Sequence, residues 1–206
     1  MEDLSKLYSA SFFARRHRLN WRVPIICNAI ESTFDYCFRN KYDVDLRRYN
    51  VVDVGCAIGD YVHEFNKRGF KAIGIEGSKA AAEYFVTESI LIHDMRHPHI
   101  LNFTADLCMC LEVVEHIEAQ YADCLIGNLT RLAGVILLSA AKPGQKGHGH
   151  VNCQPSRYWE DLFWKSGFLR HKENEQTFRK RLEPWQRKKG ISGYYGNIMV
   201  FKNYLS

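Results

Sequence analysis

The sequence predicts an α/β fold: one doubly wound sheet, mostly parallel, preceded by an N-terminal helical extension. Three observations carry that prediction. The run Val51-Val52-Asp53-Val54-Gly55-Cys56-Ala57-Ile58-Gly59-Asp60 is apolar and β-branched, then stops in small residues and an acid. Short apolar runs recur at 71–76, 90–94, 106–111 and 134–140, and stretches with helical spacing separate them. Finally, 206 residues with 46% hydrophobic content suit a single domain with a real core, whereas two full domains would be cramped. The expected organisation is a helical cap over 1–45 and a sheet domain over 46–206.

In the extension, Leu4, Leu7 and Tyr8, then Ile25, Ile26, Ala29, Ile30, Phe34 and Phe38, recur at spacings of three and four, and Pro24 suits a first helical turn. Val51, Val52 and Val54 form the first strand. Gly55 and Gly59 then permit backbone angles that a side chain forbids, and Val62 and Phe65 lie at helical spacing before Gly69 stops the helix. A strand, a glycine turn and a helix make a ligand cradle at the carboxyl end of the strand. Dinucleotide folds place a third glycine where Asp60 stands, and an acid there repels phosphate.

The second strand, 71–76, ends in Glu76 about twenty residues past the glycine turn, where a doubly wound fold places a ribose-binding carboxylate. Its two oxygens can accept both ribose hydroxyls. Ser78 is expected to cap a helix with Ala81, Tyr84 and Phe85 inward. A third strand over 90–94 ends at Asp94-Met95-Arg96 and is closed by Pro98. A fourth, Asp106-Leu107-Cys108-Met109-Cys110-Leu111, runs into a helix start that carries Glu112, Glu115 and His116. Ile117, Tyr121, Leu125, Leu129 and Leu132 mark the inner side of the next helix. After a fifth strand over 134–140, the polar loop 145–152 carries His148 and His150 at the open end of the sheet, where function concentrates. Pro155-Ser156 starts a helix with Trp159, Leu162 and Phe163 on one face. The segment 196–201 is a good strand, preceded by a substrate-side or surface insertion around Pro184 and Trp185.

Asp53-Val54-Gly55-Cys56-Ala57-Ile58-Gly59 resembles the first motif of the class I S-adenosylmethionine (SAM) methyltransferases, usually written with glycine at the place of Ala57. The stretch 106–117 resembles their fourth-strand motif, in which an apolar strand precedes Glu-Val-x-Glu-His. The resemblance covers about residues 48 to 205 and implies a Rossmann-like methyltransferase domain over 46–206, its mostly parallel sheet closed by a C-terminal antiparallel strand at 196–201 with 168–178 as hairpin partner. It implies SAM as cofactor and S-adenosyl-L-homocysteine (SAH) as product. The residues implied for binding are Asp53, Gly55, Cys56, Ala57, Gly59, Asp60, Glu76, Gly77, Asp94, Met95, Leu111 and Glu112, with Asp94 accepting from the adenine amino group. The implied reaction is methyl transfer to an oxygen or nitrogen of a small metabolite, sugar or lipid precursor.

An activated methyl needs an aligned lone pair, exclusion of water and, for a hydroxyl, removal of a proton. His116, His148 and His150 are the candidates for that proton. Glu112, Glu115, His116 and His150 also resemble the metal-binding set of small-RNA 3'-end 2'-O-methyltransferases. A divalent metal, with Mn²⁺, Fe²⁺ or Zn²⁺ preferred over Mg²⁺, is therefore left open, although the same residues are frequent in relatives that need none.

The net charge of +5 is unevenly placed. Arg15, Arg16, His17, Arg18 and Arg22 cluster early, while Arg179, Lys180, Arg181, Arg187, Lys188 and Lys189 cluster late. Two alternatives therefore stand beside the small-molecule enzyme: an RNA methyltransferase (2'-O or cap type) that uses these basic segments, and a non-catalytic SAM-binding subunit. Seven cysteines without a Cys-x-x-Cys pair point to reduced thiols and a cytoplasmic location, and no apolar run is long enough for a membrane span.

Overall fold

The structure is a computed structural model that describes residues 4, 8–14, 20–38, 49–98 and 102–204. Seven strands form one sheet: Asn50–Val54 (β1), Lys71–Glu76 (β2), Ile90–Ile92 (β3), Ala105–Leu111 (β4), Ala133–Ser139 (β5), Phe168–Arg170 (β6) and Ile198–Asn203 (β7). Their order is β3-β2-β1-β4-β5-β7-β6. The first five strands are parallel, β7 runs antiparallel to β5, and β6 pairs antiparallel to β7. The mostly parallel sheet with a C-terminal antiparallel strand is therefore the one the sequence predicts.

The central strands are buried on both faces, which is why they read as continuous apolar runs rather than alternating ones. The period of two still sorts their side chains. Val51, Leu107, Met109, Val135 and Leu137 point to one core, and Val52, Val54, Cys108, Cys110, Ile136 and Leu138 point to the other. The first core is covered by helices Val23–Phe38 (α2), Asp60–Lys67 (α3) and Lys172–Leu182 (α6), which bring Ile26, Ile30, Phe34, Val62, Phe65 and Phe178. The second is covered by Ala122–Leu132 (α4) and Ser156–Lys165 (α5), which bring Leu125, Leu129, Trp159 and Phe163. Removing a fully buried indole such as Trp159 would cost about 3–5 kcal/mol.

The extension divides in two. Helix α2 is part of the first core, while the short helix Ala10–Ala14 (α1) sends Phe13 into a small cluster with Ala57, Ile58 and Ala81, against the glycine turn. Arg15, Arg16, His17 and Arg18 lie outside the described residues.

Four local readings need correction. The segment after Ser78 is a 3-10 helix, Lys79–Tyr84, and Ser78 makes no side-chain cap to it. The turn after β4 is likewise a 3-10 segment, Val114–His116, not the start of the long helix, which begins at Ala122. The hairpin partner ends at Arg170, because 172–182 is helical with acids in its first turn and Arg179, Lys180 and Arg181 in its last, the order a helix dipole favours. The last strand starts at Ile198 instead of Gly196, since 192–197 forms a short helix (α7).

The strand order reverses between β1 and β4. Their carboxyl ends part there and open a crevice, the usual ligand position of a doubly wound sheet. Gly55 leaves β1 on one side of it and Glu112 leaves β4 on the other.

Candidate functional site

The turn after β1 is a backbone construction. Gly55 and Gly59 have φ of 74° and 86°, in the left-handed region, and a Cβ on Gly55 would collide with Val113 Cγ2. Ala57 also takes a positive φ, 53°, which explains why glycine is the usual occupant of that place. Glu76, at the end of the neighbouring β2, holds the turn in shape. Its Oε2 accepts from Ala57 N at 2.9 Å and its Oε1 from Ser78 N at 2.7 Å, so both oxygens face the backbone of the turn and of the β2 end.

These groups line a cavity of about 290 Å³ in the crevice. Gly55, Ala57, Glu76, Gly77, Asp94, Met95, Leu111 and Glu112 face it, as do His116, His148 and His150. Asp53, Cys56, Gly59 and Asp60, expected at the same site, stand behind the lining. Asp53 is buried at the end of β1, Cys56 packs its sulfur toward Gly74, Gly59 lies under Ile90, and Asp60 opens α3. The Asp94 carboxylate is committed to Arg96, accepting from Nε at 3.0 Å and Nη2 at 2.8 Å. Burial works against its charged form, but the Arg96 hydrogen bonds prevail and hold it below the ordinary range. A wider groove of about 740 Å³ beside β6 is lined largely by charged surface chains and contains none of the expected residues.

At the other end of the cavity, side chains do the work. The loop after β5 is tied down because Val151 N and Asn152 N both donate to Glu115 O at 2.9 Å. That tie brings His150 to His116, with ring centroids 4.9 Å apart. His116 Nδ1 lies 3.1 Å from Gly149 O, and His150 Nδ1 lies 3.1 Å from Gln145 O. A carbonyl only accepts, so each of these contacts is a hydrogen bond donated from Nδ1. Beneath them Glu115 is fully buried; Oε1 accepts from Ala141 N at 3.1 Å, and Oε2 has no partner among the described residues. Burial first, and the neighbouring Glu112 carboxylate second, push the Glu115 carboxyl up to about 8.

One ligating atom each from Glu115, His116 and His150 lie within 4.8 Å of one another. Glu112, the fourth member of the expected metal set, is directed elsewhere. It sits at φ 56°, accepts from Asn197 Nδ2 at 3.2 Å and faces Gly193 of α7.

Several lining residues carried no signal in the sequence beyond an apolar face. Tyr8, Phe12 and Phe13 arrive from the extension, and Tyr194 from α7. Tyr8 meets His116 and His148 edge-on, while Phe12 stacks on His148 at 5.8 Å. Burial first, then the Glu115 carboxylate, raises the Tyr8 phenol well above its ordinary value, so it stays protonated. The two basic segments also converge. Arg22 is buried, donates to Gly190 O at 3.1 Å and lies over the Tyr194 ring, while Lys188 Nζ sits 4.3 Å from Trp21 and 5.1 Å from Trp185.

No family model matches the chain. Among curated proteins, the mitochondrial ubiquinone biosynthesis O-methyltransferase of Dictyostelium discoideum is 26% identical over 145 residues, 60% of this chain. Those residues are 45% of that protein, so the chain spans less than half the length of the curated relative it matches. Among solved structures, magnesium protoporphyrin IX methyltransferase from Synechocystis PCC 6803 with bound SAH superposes with a TM-score of 0.61 at 16% identity, covering 96% of each chain. An amino pentose methyltransferase from Micromonospora echinaspora with bound SAM gives 0.62 at 14% identity, covering 91% of this chain and 96% of its own. The fold is that of the class I SAM-dependent methyltransferases.

Proposed function

We propose that this chain, built on the class I methyltransferase fold, is a SAM-dependent methyltransferase acting on an oxygen or nitrogen of a small metabolite, sugar or lipid precursor. The observation that carries the reading is one cavity with two unlike ends: a left-handed glycine turn braced by Glu76, and an imidazole pair whose Nδ1 atoms are held at backbone carbonyls. The ubiquinone-pathway relative and the amino pentose methyltransferase support an acceptor of small size.

SAM supplies a methyl already activated by the sulfonium charge. On this reading Gly55, Ala57 and Gly77 let the ligand approach the backbone, Glu76 accepts the ribose hydroxyls, and Asp94 with Met95 lies at the adenine end. His116 is placed to take the acceptor's proton on Nε2, its tautomer fixed by Gly149 O. His150, packed against Gly147 where a Cβ would overlap its ring, closes the acceptor side with His148.

Calorimetry tests the reading. SAM and SAH should bind and NAD should not, and His116→Ala should lower turnover about a hundredfold with cofactor affinity nearly unchanged. NAD binding with none for SAM would end it. An RNA acceptor would instead show polynucleotide binding that weakens steeply with salt.

A divalent metal is a second reading, favoured by the orphaned Glu115 Oε2 near two imidazoles. That donor set fits Mn²⁺, Fe²⁺ or Zn²⁺, with Glu115, His116 and His150 as the residues that would hold it. The ion would supply Lewis acidity at the acceptor. Elemental analysis of the purified protein decides between the readings. All seven cysteines are free, which suits a reducing, cytoplasmic compartment, and no helix among the described residues is long and apolar enough to cross a membrane.

A further inference from the structure

Tyr8 is fixed from both sides of the crevice. Its carbonyl accepts from Ser78 Oγ at 3.3 Å and its N–H donates to Leu4 O at 2.8 Å, which anchors its backbone beside the Glu76 end. Its ring runs to the other end, with centroid distances of 5.7 Å to His116 and 6.1 Å to His148. The hydroxyl at the ring tip is buried and has no hydrogen-bond partner among the described residues. A hydroxyl left unpaired in that way costs about 1–3 kcal/mol, a cost that a ligand with an accepting atom removes.

We propose that Tyr8 donates its phenolic hydrogen bond to the methyl acceptor and thereby selects an oxygen nucleophile over an amine. The inference rests on the methyltransferase reading and narrows it. Methyl transfer needs one lone pair aligned behind the methyl carbon. A hydroxyl oxygen has two, so one serves the new bond while the other accepts from Tyr8. An amine nitrogen has a single pair, and a hydrogen bond from Tyr8 ties it up. In the balanced step the acceptor O–CH₃ bond forms and the S–CH₃ bond breaks. The sulfur keeps that electron pair as the neutral thioether of SAH, and the hydroxyl proton passes to His116 Nε2.

The test uses the full chain loaded with SAH, and two pairs of probes that share a skeleton: phenol with aniline, and catechol with 1,2-diaminobenzene. At neutral pH the oxygen member of each pair should bind about tenfold more tightly than the nitrogen member. Tyr8→Phe, which keeps the ring contacts, should remove most of that preference and leave SAH affinity unchanged. Equal binding of the two members, an undiminished preference in Tyr8→Phe, or no binding of any probe to the SAH-loaded protein overturns the inference. Failure of SAH itself to bind removes the methyltransferase reading, and this inference with it.

Discussion

The two ends of the cavity are built in opposite ways. At the Glu76 end the ligand surface is backbone, shaped by residues close in sequence: Gly55, Ala57 and Gly59 turn in left-handed conformations and Glu76 clamps the turn from the adjacent strand. At the histidine end the surface is side chain, gathered from Tyr8, His116, His148, His150 and Tyr194, which are scattered over nearly the whole chain. A backbone site tolerates few substitutions at its turn but is indifferent to most side chains around it. A side-chain site has the reverse sensitivity, with each group replaceable at the expense of its own chemistry.

The sharpest test of that contrast, and the largest expected effect, is Gly55→Ala. The new methyl would both collide with Val113 and hold φ 74° against its own preference. Strain and overpacking together should cost about 3 kcal/mol of stability, and cofactor affinity should fall with the distorted turn. Denaturant titration with and without SAM measures both. A fully stable variant that binds normally would show that the turn does not depend on its missing side chain, and the contrast would fail at its strongest point.

The same contrast explains what was legible in the sequence. Gly55, Gly59 and Glu76 were readable because a left-handed turn restricts residue type locally and the strand-to-strand interval is fixed by the fold. The burial of β1, β4 and β5 was readable from their β-branched and apolar runs for a similar reason. Tyr8 and Tyr194 were not, since an aromatic at helical spacing looks the same whether it faces a core or a cavity. The charge pattern misled in one place: Arg22 counted with the early basic cluster offered to RNA but is buried against Gly190 and Tyr194. Glu112 was readable as the residue that ends the fourth strand, yet its direction depended on Asn197 and Gly193, more than eighty residues away.

The second prediction tests the side-chain end through its buried acid. Glu115 has its carboxyl raised from the ordinary 4.5 to about 8, by burial and then by Glu112. Between those values the folded protein holds one more proton than the unfolded chain. Stability present at low pH is therefore lost as pH rises towards 8. At about 1.4 kcal/mol per pH unit, the loss between pH 6 and pH 8 is up to about 2–3 kcal/mol. Glu115→Gln keeps an acceptor for Ala141 N and removes the titration, so its unfolding midpoint should fall less over that range. Parallel curves for the two proteins would mean that Glu115 is already ionised in the folded state.

The smallest effect is expected where the backbone end departs from its own rule. Ala57 keeps a methyl at φ 53°, two residues from a glycine that tolerates none. Ala57→Gly relieves about 1–2 kcal/mol of left-handed strain. Against that stand about 0.4–1 kcal/mol for the freer unfolded chain and about 0.8 kcal/mol for the buried methyl, which packs in the cluster with Phe13, Ile58 and Ala81. The terms nearly cancel, so the unfolding midpoint should move by less than about 0.5 kcal/mol. The Ala57 N–H to Glu76 bond survives the change, and SAM affinity should hold. A loss above about 2 kcal/mol would show that packing outweighs strain at this position. The methyl would then be the link that fastens α1 to the turn, and the backbone end would owe its shape to a side chain after all.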